Sequence, residues 1–384
     1  MASVRLGIIG LGNMGAAHAQ SILAGKVDRL ELAAVCDSGA ARLAGFPNVR
    51  GFSDPAALIG SGAVDAVLVA TPHYSHTPIG IAALRAGLHV LVEKPISVHK
   101  ADCARLIAAH RRPAQVFAAM FNQRTDPCYR AIRRLLQDGG LGPVRRINWT
   151  ITDWFRTDAY YASNAWRATW AGEGGGVLLN QCPHNLDLFQ WLFGMPARVR
   201  AFCQFGRYHA IEVEDDVTAY LEFASGATAV FIASTGEAPG TNRLEIAADG
   251  GRIVYEGDRI ECLRNAAPAS EFSRTSRESF ARPETVASVE TASGHGGQHL
   301  EILANFVAAI LDGAPLIAPA EEGIRSVELA NAMLLSAWRN RTVELPLNGR
   351  TYERLLRQRA AESRFHKPAA PAATAGDFAK SLPR

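Results

Sequence analysis

Lys94 ends an apolar run in VEKP (92–95), and His184 follows a glycine-rich stretch in GGGVLLNQCPHNLDLFQWLFG (174–194). An imidazole titrates near neutral pH, and a lysine joins it once burial or a nearby cation lowers its pKa, so the two are candidates for proton transfer. At 3.6 residues per turn Asn180, His184, Asp187 and Trp191 follow at steps of four, three and four. A helix running through them carries all four on one stripe and leaves Leu186, Phe189 and Phe193 for a core. Asp187 then either orients the imidazole from the next turn or caps and packs. Each group also has a plainer reading: Lys94 as a solvated strand end, His184 as a core histidine bonded to Asp187.

A second set has the spacing for a dinucleotide. Gly10, Gly12 and Gly15 form G-x-G-x-x-G in GLGNMG, with Asn13 and Met14 between the last two, after an apolar run and at the start of a helical pattern. Glycine there allows a tight turn and close approach of a pyrophosphate, whose charge meets the helix N-terminus. Asp37 ends the next apolar run, where a carboxylate accepts hydrogen bonds from ribose hydroxyls. It repels a 2′-phosphate and Ser38 beside it is uncharged, which favours NAD over NADP; Arg42 is the nearby cation able to reach a phosphate. Thr71, Pro72, His73 and His76 in ATPHYSH, and Glu93 with Lys94, belong to the same edge of the sheet. His76 reads equally as a ligand contact and as a loop or capping residue.

Upstream of His184, residues 152–176 (TDWFRTDAYYASNAWRATWAGEGGG) are dense in Trp, Tyr and Arg. Aromatic faces stack on the apolar face of a pyranose, and guanidinium groups bind hydroxyls or phosphate. Trp154, Arg156, Tyr160, Trp166 and Arg167 are the candidates, and Arg124 in FNQRTDP is placed to close the site from the first domain. His299 in GHGGQHLE precedes a helix and is by default a capping or surface residue, with substrate contact as the alternative. No HExxH spacing occurs, and a metal centre is not expected.

The elements that must hold these residues fall into two groups. Over residues 1–125, VRLGIIG, LELAAVCD, AVDAVLVATP, HVLVEKP and AQVFAAMF alternate with helical patterns, which predicts a doubly wound parallel sheet of the Rossmann type. From 126 to 348, alternating strands with glycine-centred turns predict an α+β domain with a large, mostly antiparallel open sheet. Residues 264–296 read as an irregular excursion or lid. Residues 349–384 read as a helix and a loosely packed Pro/Ala-rich tail.

Composition narrows the partners. The 384 residues are 48% hydrophobic, and 40 basic against 37 acidic residues leave a net charge of +3, with no basic run to track a nucleic acid. No apolar run approaches the roughly 20 residues that span a bilayer. Six cysteines lie scattered with no CxxC pair, which fits a reducing cytoplasm. A small molecule is the expected partner.

In this order GLGNMG, VCD, ATP, EKP and GGGVLLNQCPHNLD resemble the Gfo/Idh/MocA family of NAD(P)-dependent oxidoreductases, over residues 4–348. The wording WRATWAGEGGGVLLNQCPH looks most like the branch holding levoglucosan dehydrogenase and glycoside 3-dehydrogenases. The resemblance implies oxidation of a secondary hydroxyl on a sugar, cyclitol or derivative, with Lys94 and His184 flanking the reacting carbinol beside the nicotinamide. It also implies a homodimer or homotetramer built through the second sheet. One departure stands out: the family's frequent Asp-x-x-x-His is Asn180-x-x-x-His184 here, and an amide cannot act as the base. Asn180 is therefore expected to orient a hydroxyl. Inositol oxidation, and a glycosidase that retains NAD and oxidises C3 transiently, are the alternatives.

Overall fold

The computed structural model describes residues 2–291 and 294–367. Its first six strands are β1 (Val4–Ile9), β2 (Leu30–Cys36), β3 (Arg50–Phe52), β4 (Ala66–Val69), β5 (His89–Val92) and β6 (Phe117–Ala119). They form a wholly parallel sheet in the order β3-β2-β1-β4-β5-β6. Their near-continuous apolar sequences suit a sheet covered on both faces, by helices α1 (Asn13–Leu23), α2 (Ala40–Leu43), α3 (Pro55–Ile59), α4 (His73–Ala86) and α5 (Lys100–Ile107). Strand order reverses between β1 and β4, and the crevice outside their carboxyl ends is where such sheets take ligands.

After α6 (Pro127–Gln137) the chain builds a nine-stranded sheet from β7 (Val144–Ile151), β8 (Arg198–Phe205), β9 (Glu214–Glu222), β10 (Thr228–Ser234), β11 (Asn242–Ala248), β12 (Gly251–Glu256), β13 (Arg259–Asn265), β14 (Thr285–Thr291) and β15 (Val343–Glu344). The order is β14-β13-β12-β11-β7-β10-β9-β8-β15, antiparallel except where β7 meets β10. One face is buried and one is open. Val217, Ala219 and Leu221 point inward on β9, while Tyr220 between them is exposed. Helices α7 (Asp158–Ala162) and α8 (Pro183–Phe193) lie between β7 and β8, α9 (Ala269–Thr275) between β13 and β14, and α10 (Gln298–Asp312), α11 (Gly323–Arg339) and α12 (Gly349–Glu362) come last. The α/β class with a Rossmann-type first half and a mostly antiparallel second sheet is as expected.

Three expectations are corrected. Residues 264–296 are irregular only in part: α9 and β14 fall within them, and β14 pairs along its whole length with β13 at the end of the sheet. Its exposed edge position, with Val286 and Val289 in the open, hides it from a search for alternating burial. The span 126–348 is not one packing unit, because Ile302, Leu303, Phe306 and Val307 of α10 enter the core of the first sheet. Nor does one helix carry the stripe from Asn180 to Trp191. Residues 176–182 wind through mixed turns (Asn180 N–H to Gly176 C=O 2.9 Å, Cys182 N–H to Val177 C=O 2.8 Å), and regular α-helix starts at Pro183, which has no N–H to satisfy. The Pro/Ala-rich tail lies outside the described residues from 368 onward.

Candidate active site

The glycine loop connects β1 to α1. Gly10 has φ +99°, and a Cβ there would lie 2.6 Å from the Ala70 carbonyl oxygen; one on Gly15 would lie 1.8 Å from that of Gly10. Both glycines are therefore demanded by the fold itself. Gly12 differs, since a Cβ there meets nothing within 4 Å. It caps α1 without a side-chain hydrogen bond and there is no acid in the first turn, so the helix N-terminus opens onto free space beside Asn13 and Met14. Asp37 at the end of β2 is buried and accepts from the N–H groups of Leu11 (2.8 Å) and Gly39 (2.8 Å), so it ties the loop to the sheet. Arg42 rests on it at 3.3 Å, and Ser38 is exposed. The buried Thr71 hydroxyl on the facing loop has no partner. An open, uncapped helix start, a carboxylate at the second strand end and an orphaned hydroxyl together fit a dinucleotide.

Beyond Thr71 and the exposed Pro72, His73 is buried edge-on to Trp166 (5.4 Å between ring centroids), with Nδ1 3.3 Å from the Glu173 carbonyl oxygen. His76 is a correction. Its two ring nitrogens lie 2.8 Å and 2.7 Å from the carbonyl oxygens of Pro95 and Thr71, so it braces the two loops and has no nitrogen left for a ligand.

Lys94 leaves the end of β5 and its Nζ donates to the main-chain carbonyl of Asn180 at 2.8 Å. Burial lowers its pKa to about 8, against the raising charge of Glu93, while Arg156 and Arg167 push it further down. Glu93 contacts His18 of α1, 2.7 Å from Nε2, and despite its burial is held ionised by that contact. His184 is buried against Phe121, its Nδ1 has no partner, and burial together with the charge of Lys94 keeps it neutral. His299 lies in the first turn of α10, 5.5 Å from the His18 ring, and does not cap the helix; burial drops its pKa to about 4.

The aromatic segment splits. Tyr160, Trp166, Arg156 and Arg167 form one cluster: Arg167 lies over both the Tyr160 and Trp166 rings (4.5 and 4.7 Å) and Arg156 over Tyr160 (5.1 Å). Trp154 is buried beneath the cluster: it donates to Asn185 at 3.2 Å, and Arg156 lies 5.4 Å over its ring. The Asn180 side chain is also engaged, donating to Glu173 and accepting from the Tyr160 hydroxyl at 3.1 Å.

Arg124 is the clearest correction. It is 1% exposed, its guanidinium donates twice to Asp187 at 2.6 Å and once to Glu322 at 2.6 Å, and a further N–H reaches the Ile317 carbonyl oxygen. It cross-links three segments, with four of its five N–H donors committed and its side chain almost wholly buried. Asp187 is its partner, with no hydrogen bond to His184 among the described residues. Sequence reasoning missed His18 and Glu173. His18 had a signal, lying three residues past Gly15 on the buried face of α1; Glu173 had another, as the one charge in a run of glycines. Among the described residues one group of metal-ligating types converges, His99, Asp102 and Glu353, and Arg105 already bridges its two carboxylates.

A dinucleotide crevice with a half-buried lysine and a neutral histidine beside it fits a nicotinamide-dependent oxidoreductase site. Residues 4–121 match the oxidoreductase family with NAD-binding Rossmann fold, and residues 129–254 match the GFO/IDH/MocA C-terminal domain; the chain belongs to this family. It is 26% identical to levoglucosan dehydrogenase of Pseudarthrobacter phenanthrenivorans, over 90% of this chain and 99% of that one. It is 25% identical to myo-inositol 2-dehydrogenase of Thermotoga maritima, over 89% and 98%. The crystal structure of the WlbA dehydrogenase from Chromobacterium violaceum with NADH and UDP-GlcNAcA superposes with a TM-score of 0.78 at 26% identity, covering 91% and 97%. Other relatives match at 31% to 36% identity over only 43% to 55% of their own length.

Proposed function

We propose that the protein oxidises a secondary hydroxyl of a sugar, glycoside or anhydrosugar, at C3 of a pyranose, with NAD as the acceptor. The observation that carries this reading is Lys94: a half-buried lysine with a pKa near 8, its Nζ fixed on the Asn180 carbonyl at the carboxyl edge of the nucleotide-binding sheet, within electrostatic reach of His184, Arg156 and Arg167. Bound NAD supplies the hydride acceptor. Neutral Lys94 takes the hydroxyl proton, and the free Nδ1 of His184 holds the same hydroxyl in line. Tyr160, Trp166 and the two arginines bind the ring and its other hydroxyls. The relatives named for levoglucosan and myo-inositol support a cyclic polyol, and make inositol the second reading.

NADH formation across glycosides, anhydrosugars and inositols tests this, with Lys94→Ala as control. Turnover on pyranosides, lost in the variant while NADH still binds, is the expected result; silence across all three classes overturns the reading. Free aglycone without net NADH identifies an NAD-retaining glycosidase instead. Six scattered cysteines with no CxxC pair support a reducing cytoplasm. Phe202 and Tyr220, exposed on the open face of the second sheet, support a homodimer or homotetramer through that face. No helix among the described residues is long and apolar enough to cross a membrane.

A further inference from the structure

Glu173 is 1% exposed and stands behind the lysine contact. One carboxylate oxygen accepts from the Ala168 N–H at 2.6 Å, at a residue held at φ +57°; the other accepts from the Asn180 amide. The Asn180 amide oxygen accepts from Tyr160, whose hydroxyl oxygen accepts in turn from Arg167 (2.8 Å) and Gln181 (3.2 Å). Every donor in this chain is directed, so the amide has one orientation, with its N–H on Glu173. The backbone of the same Asn180 presents the carbonyl that holds Lys94 Nζ.

We propose that Glu173 is a positioning residue for Lys94: through the Asn180 amide it fixes the carbonyl that grips Nζ, and it supplies negative charge behind that contact. Glu173 and Asn180 form a carboxylate–amide pair whose members are exchangeable as long as one is charged and one is neutral. Two facing carboxylates repel or trap a proton, and two amides leave Lys94 beside Arg156 and Arg167 with less compensation.

The role given to Lys94 rests on the dehydrogenase reading, but its titration does not. The midpoint is read from the pH dependence of Lys94 acetylation by acetic anhydride, followed by mass spectrometry on the full chain without substrate. The charges acting around Lys94 are Glu93 from its own strand end and Arg156, Arg167 and Glu173 from the 152–176 segment. The neighbouring imidazoles of His73, His76, His184 and His299 are all held below their usual pKa by burial. All four are already neutral below the lysine midpoint, so none loses charge as pH rises through it. Removing negative charge in Glu173→Gln lowers the midpoint by about half a unit or more, a roughly threefold rise in Lys94 reactivity at neutral pH. The exchanged pair Asn180→Asp/Glu173→Gln returns it to the wild-type value. An unchanged midpoint in Glu173→Gln, or an exchanged pair that behaves like that single variant, overturns the proposal. Should Glu173→Gln not fold, Asn180→Ala decides. With the charge at 173 kept, the midpoint stays while kcat falls tenfold or more at little changed KM; unchanged kcat in an otherwise active enzyme counts against the proposal.

Discussion

Asp187→Ala separates a structural ion pair from a catalytic one. In the folded protein the Asp187 carboxylate is 1% exposed, takes both parallel N–H groups of Arg124 at 2.6 Å and accepts from Gln190 at 3.0 Å. Removing it leaves a guanidinium, itself 1% exposed, with Glu322 as its remaining carboxylate, and that residue is one-third exposed and partly screened by water. Breaking one side of a buried pair costs about 3–5 kcal/mol, most of it the penalty on the charge left behind. The upper half of that range applies here, because Gln190 loses its acceptor as well. The loss is measured by urea denaturation monitored through tryptophan fluorescence, and in a chain of this size it corresponds to a fall of roughly 5–10 °C in Tm. kcat per folded enzyme stays within about threefold of wild type, because Asp187 makes no hydrogen bond to His184. Near-native stability with a large loss of kcat refutes this reasoning and returns Asp187 to the role of orienting the histidine.

Other predictions probe the loop, the lysine and a second buried carboxyl. Gly12→Ala folds normally but loses dinucleotide affinity, since its Cβ enters only the open space before α1, whereas Gly15→Ala fails to fold properly because it strikes the Gly10 carbonyl; thermal melts with NADH titration distinguish the two. Sugar oxidation needs neutral Lys94, so kcat/KM rises with pH and levels off above about 8, while ketone reduction needs the ammonium and falls above the same point; paired pH profiles in the two directions check the sign. Burial pushes Glu214 up to about 8, so the folded state keeps a proton that the unfolded chain releases near pH 4.5. Wild type therefore loses stability relative to Glu214→Gln as pH rises from 5 to 8, by about 3 kcal/mol, which denaturation at several pH values measures directly.

The parallel sheet and the glycine loop were legible because local pattern dictates them, whereas the pairing of Lys94 with His184 came only from the family resemblance. Apolar runs followed by Gly10 or Lys94 put chemistry at strand ends wherever the strands later pair. Arg124 and Asp187 misled for a physical reason: an arginine in a loop and an aspartate on a helix carry no sign of each other, and only the third dimension makes them one buried pair. Asn180 misled differently. Its spacing from His184 suits a helix, but Pro183 sets the helix start three residues later, and the backbone carbonyl of Asn180, invisible to any argument from side-chain type, is what reaches Lys94. Trp154 and Trp166 are alike in sequence, yet the first is committed to Asn185 and the core while the second lies at the cleft with His73.

Hydride transfer itself is the most direct test of the central claim. A pyranoside carrying deuterium at C3 is incubated with enzyme and NAD, and the dinucleotide is recovered for mass spectrometry. Deuterium appearing in the reduced nicotinamide, together with a 3-keto product, is the predicted result. NADH formed without the label, or label retained by the sugar, contradicts it.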